Sequence, residues 1–368
     1  MARATETTGV PAGEDDLHCQ ILVLKCMAGL MDTMVLNCAV NLKIFDAIHR
    51  HGGQPISLPD LAAALPASRV HRTVLRRVMR YLANMCLIDL QHPGTNAGNG
   101  EDGEYYSLTP AAATYLRVES DKSLVPFLRL NMLEEMITPL FAIDACVTAE
   151  LGPDVPAVEL LGREKFFSVL ERDPEKGKIF NEAMTAVLRR TAEAVVEGCP
   201  AVFEGVETVV DVGGGEGLMA AAIASAFPAV KCVVLDLPHV VEKAPEREGV
   251  EFVAGDMFVS LPQADALLFT RVLHNWKDDK VIETLKRCRQ AIDDINRKVL
   301  IIDMVIDEFG DEKDLQRMKC YRDIQMMAYL GGKQRTEKEW RSLLSKAEFT
   351  NCTFIRLTAL EHLIEARP

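Results

Sequence analysis

The sequence predicts an α/β protein with a doubly wound C-terminal domain and a mainly helical N-terminal domain that contains a winged-helix motif. From about residue 200 onward, short apolar and β-branched runs alternate with helical stretches, which is typical of a Rossmann-like parallel sheet covered by helices on both faces. Before that point, apolar residues recur at helical spacing. Near the N-terminus, two short helical periods precede a β-like stretch, which is the order of elements in a winged helix.

Length, composition and charge limit the classes of protein to consider. The 368 residues are 48% hydrophobic and 26% charged, enough for a buried core and for two domains. The 41 Lys and Arg residues against 54 Asp and Glu give a net charge of −13, which disfavours a nucleic-acid partner. No apolar run approaches the roughly 20 residues of a membrane-spanning helix, and the first residues lack the apolar core of a signal peptide. We therefore expect a cytoplasmic protein with no membrane partner and, because its cysteines form no C-x-x-C pair, no metal site.

The N-terminal part divides into a leader and a helical domain. Residues 1–16 are polar and acidic and are predicted to be a disordered leader. Residues 17–125 are predicted to form the helical, winged-helix domain. Within it, residues 22–49 are apolar at helical spacing on nearly every face, and such a helix has to be covered. This helix therefore suggests a subunit interface.

The winged-helix motif follows that first helix. Ser57 begins a short helix that reaches Leu65, residues 69–89 carry a longer helical period, and a Gly- and Asn-rich tip over 94–103 leads to a β-like stretch over 105–109. The longer helix is basic, with Arg69, Arg72, Arg76, Arg77 and Arg80. Such a helix is able to bind DNA, but a solvated or salt-bridged helix face is favoured because the whole chain is acidic.

The remaining chain is predicted to consist of a helical connector, residues 126–200, and the doubly wound domain, residues 201–368. The connector is broken at Gly152 and at Asp173, each followed by Pro. Five strands are expected at Thr208–Val212, Lys231–Asp236, Val250–Ala254, Ala266–Thr270 and Lys298–Asp303, and runs over 352–358 and 362–366 close the sheet.

A glycine-rich turn after the first of these strands is the sharpest candidate site. Gly213, Gly215 and Gly217 lie between an apolar strand and a predicted helix over Leu218–Ala226. Glycines at this place let the backbone turn tightly and approach a ligand at the helix N-terminus. A dinucleotide fingerprint would require glycine at position 218, which is Leu, so the sequence predicts a small polar ligand other than a dinucleotide.

Two carboxylates follow the next two strands. Asp236, before Leu237, ends the second strand, where a carboxylate can accept hydrogen bonds from a ribose diol. Asp256 follows the third strand, and its apolar neighbours Met257 and Phe258 suit an adenine ring. The carboxyl ends of parallel strands share one edge of a sheet. The turn and the two carboxylates together therefore predict an adenosine-containing ligand without a pyrophosphate.

Four motifs in this order resemble the plant-type S-adenosylmethionine-dependent O-methyltransferases, the group that includes caffeic acid, flavonoid and benzylisoquinoline alkaloid enzymes. They are residues 210–215, 236–239, 255–258 and 273–276, and the resemblance runs from about residue 20 to the C-terminus. It implies S-adenosyl-L-methionine as cofactor, S-adenosyl-L-homocysteine as product, no metal, and a homodimer formed by an N-terminal domain that does not bind DNA. It also implies transfer of a methyl group to a hydroxyl of a small aromatic compound, whether phenolic, flavonoid or alkaloid.

The resemblance assigns the role of catalytic base to His274, just past the fourth strand. A phenol has a pKa near 10 and imidazole one near 6.5, so a histidine at hydrogen-bond distance can take the phenol proton as the oxygen attacks the methyl group. Asp303, at the end of the fifth strand, is the candidate that orients the ring. Gln334 occupies a position where many relatives carry a second acid. It can accept a hydrogen bond from His274 Nδ1 but offers no negative charge.

The resemblance also assigns residues to the cofactor and to the acceptor. The cofactor residues are Gly213, Gly215, Asp236, Leu237, Asp256, Met257, Phe258, Thr270 and Arg271. Plant members often have a lysine where this chain has Thr270, and Arg271 is the candidate that supplies the missing charge. The acceptor pocket, lined largely by the connector, would include Asn131, Phe180, Met184, Trp276, Met326 and Met327. Methionines at helical spacing are more often core residues, and this remains the alternative.

Three other functions remain open from the sequence. An N-methyltransferase, or another S-adenosylmethionine-using enzyme on the same fold, is compatible with the neutral Gln334 because an amine needs no strong base. A winged-helix regulator would use the basic helix to bind DNA. A nicotinamide oxidoreductase is disfavoured by Leu218.

Overall fold

The chain forms two compact units in the computed structural model, which describes residues 12–91, 103–148, 155–292, 297–307 and 310–368. The units are Met1–Val125 and Pro126–Pro368. The residues predicted as a connector, 126–200, therefore lie in the second unit, together with the residues predicted to form the sheet.

The first unit is mainly helical and has a small antiparallel sheet. Its helices are α1 (Ala12–Asn41), α2 (Ile44–Arg50), α3 (Leu58–Ala64), α4 (Arg72–Asn84) and α5 (Pro110–Tyr115), and its strands are β1 (Ile56–Ser57), β2 (Ile88–Gln91) and β3 (Tyr105–Leu108). The strands pair in the order β1-β3-β2. Ser57 caps α3, because its hydroxyl accepts the Asp60 backbone N–H at 3.2 Å. Helices α3 and α4 with the three strands form the predicted winged helix.

Several boundaries in this unit differ from the expectation. Helix α1 begins at Ala12, inside the predicted leader, because the first turn of a helix needs no apolar residue to mark it. Lys43, with a φ of 53°, separates α1 from α2 within the single helical period that was expected. Ile88 and Asp89, the end of the predicted helical period, instead belong to β2, because Ile88 and Leu90, spaced by two, fit a strand as well as a helix end. Residues 1–11 of the leader and 94–102 of the expected tip lie outside the described residues.

Helix α1 exposes a large apolar surface in the single chain. Leu24, Met27 and Leu30 are each more than half exposed. Within the described residues, the stretch Asp16–Asn41 is long and apolar enough to cross a membrane by length and composition, and it contains an 18-residue window with a mean hydropathy of 1.6 in which no residue is buried. The expectation that no apolar stretch approaches this length was therefore wrong. The few polar residues in α1 interrupt the apolar run without making the helix polar.

The second unit contains a large sheet, with further helices before and between its strands. Its helices are α6 (Val125–Asn131), α7 (Glu134–Ile137), α8 (Ile143–Thr148), α9 (Ala157–Leu160), α10 (Phe166–Arg172), α11 (Pro174–Gly198), α12 (Leu218–Ala226), α13 (Pro238–Val241), α14 (Asp278–Ala291), α15 (Lys313–Leu330) and α16 (Glu337–Lys346). Its strands are β4 (Thr208–Val212), β5 (Lys231–Asp236), β6 (Val250–Ala254), β7 (Ala266–Thr270), β8 (Lys298–Asp303), β9 (Val305–Ile306), β10 (Arg335–Thr336), β11 (Asn351–Arg356) and β12 (His362–Arg367). Short 3-10 helices occupy Thr138–Ala142, Pro200–Phe203 and Leu273–Asn275.

The large sheet has seven strands in the order β11-β12-β8-β7-β4-β5-β6. Neighbours from β8 to β6 pair in parallel, whereas β12 is antiparallel to both β8 and β11. The five strands expected from Thr208 to Asp303, β4 to β8, are confirmed with the predicted bounds. The expectation of a wholly parallel sheet is wrong at β12. The short connection from β11 to β12, residues 357–361, permits only antiparallel pairing.

Each face of the sheet has its own apolar core. Val210 and Val212 of β4 pack in a cluster with residues of α14 and α16, while Val209 packs in a second cluster with residues of α11 and α12. This alternation follows from the two-residue period of a strand. Helices on both faces confirm the doubly wound, Rossmann-like arrangement.

The topology brings candidate site residues to one edge of the sheet. The carboxyl ends of the parallel strands β4, β5, β7 and β8 lie along the same edge, where ligands bind in folds of this class. Separately, β9 pairs in parallel with β10, so that Val305 lies opposite Arg335. This pairing holds the segment before Arg335 beside the end of β8.

One carboxyl group is buried inside β4. Asp211 is 1% exposed, and neither of its carboxyl oxygens makes a hydrogen bond of standard geometry with a described residue. Burial and, secondly, the Asp236 carboxylate raise the pKa of Asp211 from 3.8 to about 7, against a smaller opposing effect of the Ala220 backbone N–H. The folded protein therefore keeps this proton at pH values where the unfolded chain has lost it.

We expect the Asp211 carboxyl to make the protein less stable as the pH rises from about 4 to about 7. The pKa of Asp211 is higher in the folded state than in the unfolded state, so folding favours the protonated carboxyl. The free energy of unfolding therefore falls by up to about 4 kcal/mol as the pH rises across that interval. Asp211→Asn removes the titration. Thermal unfolding at pH 5 and pH 8 should show a smaller fall in Tm for the variant than for the wild type. The exposed Asp279→Asn is the matched control, and an equal fall in wild type and Asp211→Asn would contradict the expectation.

Candidate active site

The glycine turn joins β4 to α12 and is fixed to the neighbouring strand. Gly213 has a φ of 70°, and its N–H donates to the Leu235 carbonyl at 2.8 Å. A Cβ atom at Gly213 would lie 3.0 Å from Val272 Cγ2, so the turn is in close contact with the residues that precede His274. Gly215 has a φ of 57°, and a Cβ atom there would meet no atom within 4 Å. The backbone at Gly215 is therefore accessible to a ligand.

Asp236 ends β5 and faces the glycine turn. Its Oδ2 accepts the Gly215 N–H at 2.8 Å, and its Oδ1 accepts the Leu237 N–H at 2.7 Å. Burial raises the pKa of Asp236, while these two N–H donors oppose the rise. Each carboxylate oxygen has a second lone pair that a ligand hydroxyl can use. The structure thus brings the predicted turn and the predicted ribose-binding carboxylate together.

The residues expected at the adenine follow β6. Asp256 Oδ1 accepts the Phe258 N–H at 2.8 Å, and Met257 packs against the apolar core. The Phe258 ring packs edge-on against Trp276, with the two ring centroids 4.6 Å apart. Trp276, expected in the acceptor pocket, therefore stands directly beside a residue expected at the cofactor.

A buried hydrogen bond joins His274 to Asp303. His274 lies in the short helix after β7, and Asp303 is the last residue of β8. His274 Nδ1 is 2.5 Å from Asp303 Oδ1, both side chains are buried, and the same oxygen accepts the Met304 N–H at 3.0 Å. An ionised carboxylate only accepts hydrogen bonds, so we assign a proton to Nδ1 and leave Nε2 as the acceptor. This hydrogen bond holds the imidazole ring in one orientation, with Nε2 free to accept a proton.

Gln334 contacts Asp303 rather than the histidine. Its amide is assigned with Nε2 toward two acceptors, Asp303 Oδ1 and the Met304 carbonyl, each at 3.3 Å. Its backbone N–H donates to Asp323 Oδ1 at 2.7 Å. The hydrogen bond that a glutamine at this position could accept from His274 Nδ1 is not formed, because Asp303, the candidate that orients the ring, already accepts that proton.

Gly332 positions the histidine, although the sequence analysis did not single it out. A Cβ atom at Gly332 would lie 2.1 Å from the His274 carbonyl oxygen and 2.7 Å from the Asn275 carbonyl carbon. The Lys333 N–H donates to the same His274 oxygen at 3.0 Å. Only glycine fits between these two segments. The sequence signal for this contact is the pair of glycines that follows α15.

Thr270, which stands where plant members often have a lysine, and the next residue, Arg271, differ in environment. Thr270 ends β7 in the core, and its Oγ1 has no hydrogen-bond partner within the ranges that the structure describes. Arg271 has a φ of 57°, which is rare for a residue other than glycine, and its Nη1 lies 2.7 Å from Glu361 Oε1 in a buried ion pair. Glu361 therefore neutralises the positive charge of Arg271, which was expected to interact with the cofactor.

Most residues expected to contact the acceptor lie on three helices of the second unit. They are Asn131 of α6, Phe180 and Met184 of α11, and Met326 and Met327 of α15. Phe180, Met184 and Met327 pack against one apolar cluster, and Met326 is 8% exposed. Asn131 Oδ1 accepts Gln325 Nε2 at 3.1 Å. Gln325 therefore contacts one of the residues expected at the acceptor. Its position in the middle of a helix did not indicate this contact.

Two family models match the chain. The model of an O-methyltransferase domain matches residues 145–350, and the model of an O-methyltransferase dimerisation domain matches residues 24–118. The second match covers most of the first structural unit, including residues 24–41 of the apolar helix α1.

Individual relatives match over nearly their whole length. A probable scoulerine-9-O-methyltransferase of Papaver somniferum is 35% identical over 358 residues, which cover 96% of this chain and 98% of the relative. (RS)-norcoclaurine 6-O-methyltransferase of Coptis japonica is 36% identical over 356 residues, which cover 96% and 99%. The structure of human N-acetylserotonin methyltransferase in complex with SAM shares the fold, with a TM-score of 0.78, 22% identity and 99% of each chain covered. By these matches, the chain belongs to the plant-type S-adenosylmethionine-dependent O-methyltransferases.

Proposed function

We propose that this enzyme methylates a hydroxyl of a small aromatic compound, whether phenolic, flavonoid or alkaloid, with His274 as general base. The observation that carries the proposal is the buried His274–Asp303 hydrogen bond of 2.5 Å, which leaves Nε2 as a proton acceptor. A phenol is mostly protonated at neutral pH, so a base that takes its proton during the attack lowers the barrier. The names of the relatives, a scoulerine 9-O- and a norcoclaurine 6-O-methyltransferase, support an oxygen acceptor.

The residues at the sheet edge fit S-adenosyl-L-methionine. The accessible backbone at Gly215 lies next to Asp236, whose carboxylate would accept hydrogen bonds from the ribose hydroxyls. Asp256 and Phe258 would take the adenine amine and ring, and Gly213 keeps the turn close to the strand. When bound, this cofactor supplies a methyl group on a positively charged sulfur.

Asp303 and Gln334 prepare the histidine for proton transfer. Asp303 keeps the His274 ring in one tautomer and stabilises the imidazolium that forms when Nε2 takes the acceptor proton. The hydrogen bond from Gln334 holds the Asp303 carboxylate in place without adding charge. Proton transfer therefore ends in a buried imidazolium–carboxylate pair.

Apolar residues around the acceptor serve the same reaction. Phe180, Met184 and Met327 pack against the apolar cluster of α11 and α15 and would exclude water from the acceptor. A positive sulfur and a developing phenolate neutralise each other as the methyl group moves. A water-poor cavity therefore favours the reaction over the separated charges.

A cytoplasmic homodimer explains the exposed apolar surface of helix α1 in the first unit. Leu24, Met27 and Leu30 of α1 would be covered by a second copy, which removes apolar surface from water. The match to a dimerisation domain supports burial of this apolar helix between two subunits rather than in a membrane. In the basic helix α4, Arg76 pairs with Glu104, which supports an ion-paired face over a DNA-binding one.

A second candidate is methylation of an amine on the same fold. Gln334 is neutral where many relatives carry an acid, so the imidazolium has less electrostatic support than in those relatives. An amine acceptor needs no strong base and would tolerate this difference.

His274→Ala should reduce kcat for a phenol acceptor by about 10²- to 10⁴-fold, because the base is removed. The affinity for S-adenosyl-L-homocysteine should stay unchanged, because the glycine turn and Asp236 are untouched. Steady-state kinetics with a panel of phenols and amines measures the first effect, and titration calorimetry measures the second.

His51→Ala is the control, because His51 is exposed in a turn after α2. It should change neither quantity. Full activity of His274→Ala toward phenols would exclude the base role. Activity toward amines that is high and independent of His274 would favour the second candidate.

Gly332→Ala should lower kcat at least tenfold and also lower the Tm, because the added Cβ would displace the His274 backbone by its contact at 2.1 Å. Gly198→Ala is the matched control, since a Cβ atom there meets nothing within 4 Å. Kinetics and thermal unfolding measure both variants. A folded Gly332→Ala enzyme with wild-type kcat would show that this contact does not position the base.

A further inference from the structure

A buried arginine lies on the helix that carries part of the expected acceptor pocket. Arg322, Gln325, Met326 and Tyr329 share one face of α15, and each is at most 9% exposed. Helix α15 also lies against the short helix that contains His274. Arg322 is therefore on the same buried face of α15 as Met326, on a helix that contacts the segment of the proposed base.

Arg322 has few partners for a buried cation. Its Nη1 donates to Gln325 Oε1 at 2.7 Å, and its guanidinium carbon lies 4.8 Å from the centroid of the Phe127 ring. It forms an ion pair with none of the carboxylates in the part of the chain that the structure describes. A guanidinium has five N–H donors, and one hydrogen bond leaves most of them unused.

The polar groups around Arg322 are occupied by one another. Gln325 Nε2 donates to the Tyr321 hydroxyl at 2.8 Å and to Asn131 Oδ1 at 3.1 Å, and the Tyr321 hydroxyl is 3.3 Å from the same Asn131 oxygen. Asn131 Nδ2 donates to the Phe127 carbonyl at 2.7 Å. The cluster therefore orients Gln325 toward the arginine but supplies no charge to it.

The nearest ionised groups do not neutralise Arg322 either. Arg271 and Glu361 pair with each other at 2.7 Å, and the other Glu361 oxygen accepts the Thr191 hydroxyl at 3.0 Å. Burial and, secondly, Arg271 lower the pKa of Arg322 from 12.5 to about 9, so the guanidinium is charged at neutral pH. A buried charge without a counter-ion destabilises the folded protein. An anion from outside the chain would remove that penalty.

We propose that Arg322 binds a carboxylate of the acceptor, so that the substrates are aromatic hydroxy acids. The inference rests on the proposed methylation of an aromatic hydroxyl and adds a second functional group to that acceptor. A carboxylate accepts two parallel hydrogen bonds from a guanidinium and neutralises its charge. Phe127 packs on the guanidinium and Gln325 holds one nitrogen, which fixes the orientation in which the remaining N–H groups meet the acid.

The test uses pairs of acceptors that differ only in charge. Hydroxybenzoates, hydroxyphenylacetates and hydroxycinnamates are compared with their methyl esters, and the three series differ in the distance between hydroxyl and carboxylate. We expect at least one acid to be methylated with a kcat/KM about 10- to 100-fold above that of its ester, mainly through a lower KM.

Variants of α15 show whether the preference depends on Arg322. Arg322→Gln should abolish it by raising KM for the acid while leaving the ester unchanged. Arg317→Gln, on the exposed side of the same helix, is the matched control and should keep the preference. Equal use of acid and ester by the wild type, or an unchanged preference in Arg322→Gln, would overturn the proposal and leave the methyltransferase function intact.

Stability distinguishes acid binding from a structural role. Removal of a buried charge that lacks a counter-ion should leave the Tm of Arg322→Gln unchanged or higher. A marked fall in Tm would show that the arginine stabilises the fold, and together with an unchanged acid preference it would overturn the proposal.

Calorimetry tests carboxylate binding independently of methylation. The acids and esters are titrated into the enzyme saturated with S-adenosylhomocysteine. If no compound of the panel is methylated, an acid that binds at least tenfold more tightly than its ester, with the difference lost in Arg322→Gln, still supports the carboxylate site. Failure of every acid to bind would overturn it.

Discussion

The buried hydrogen bond between His274 and Asp303 is the interaction on which the arrangement of this site depends. It joins the ends of two neighbouring strands, β7 and β8, and it fixes a ring that otherwise rotates about two single bonds. Asp303 is held by the Met304 N–H and by Gln334, and the backbone of His274 is held by Lys333 and enclosed by Gly332. Each of these contacts comes from an element that the sheet or the β9–β10 pair positions, which is why a residue outside regular structure can be kept in one orientation.

Two buried ionisable groups of the second unit stand out because they lack a counter-ion among the described residues. Asp211 lies under the glycine turn, in a strand that is otherwise apolar, and Arg322 lies on the buried face of α15. Both are expensive to bury, because neither has a partner of opposite charge within the described chain. Proteins keep such groups mainly where function requires them.

The parts of the fold that local sequence determines were predictable. Strands β4, β5, β7 and β8 are fully or largely buried runs of β-branched and apolar residues, and their ends are marked by Asp, Gly or Thr, so their bounds followed from the sequence. The pairing of His274 with Asp303 was expected from the resemblance to plant O-methyltransferases, because Asp303 stands where their motif carries an acidic residue.

Contacts between distant segments were not predictable in the same way. The hydrogen bond of Gln334 to Asp303 depends on the β9–β10 pair, which is only two residues long on each side. The burial of Arg322 depends on Phe127 and on side chains of α6, far away in sequence. In the sequence, Arg322 stands between Tyr321 and Asp323 and resembles an ordinary surface position. The antiparallel direction of β12 was missed because the short runs at the C-terminus carry no signal of direction.

The position of β12 has a consequence for biosynthesis. This strand inserts between β8 and β11 although it follows both in the chain, and its first residue, His362, pairs opposite Asp303. On the ribosome, the edge of β8 must wait unpaired until β12 has been translated, and an open edge of this kind is vulnerable to association with other nascent chains. Glu361, the partner of Arg271, arrives at the same late moment. The edge of β8 that ends in Asp303 is therefore paired only after every other strand of the large sheet has been translated.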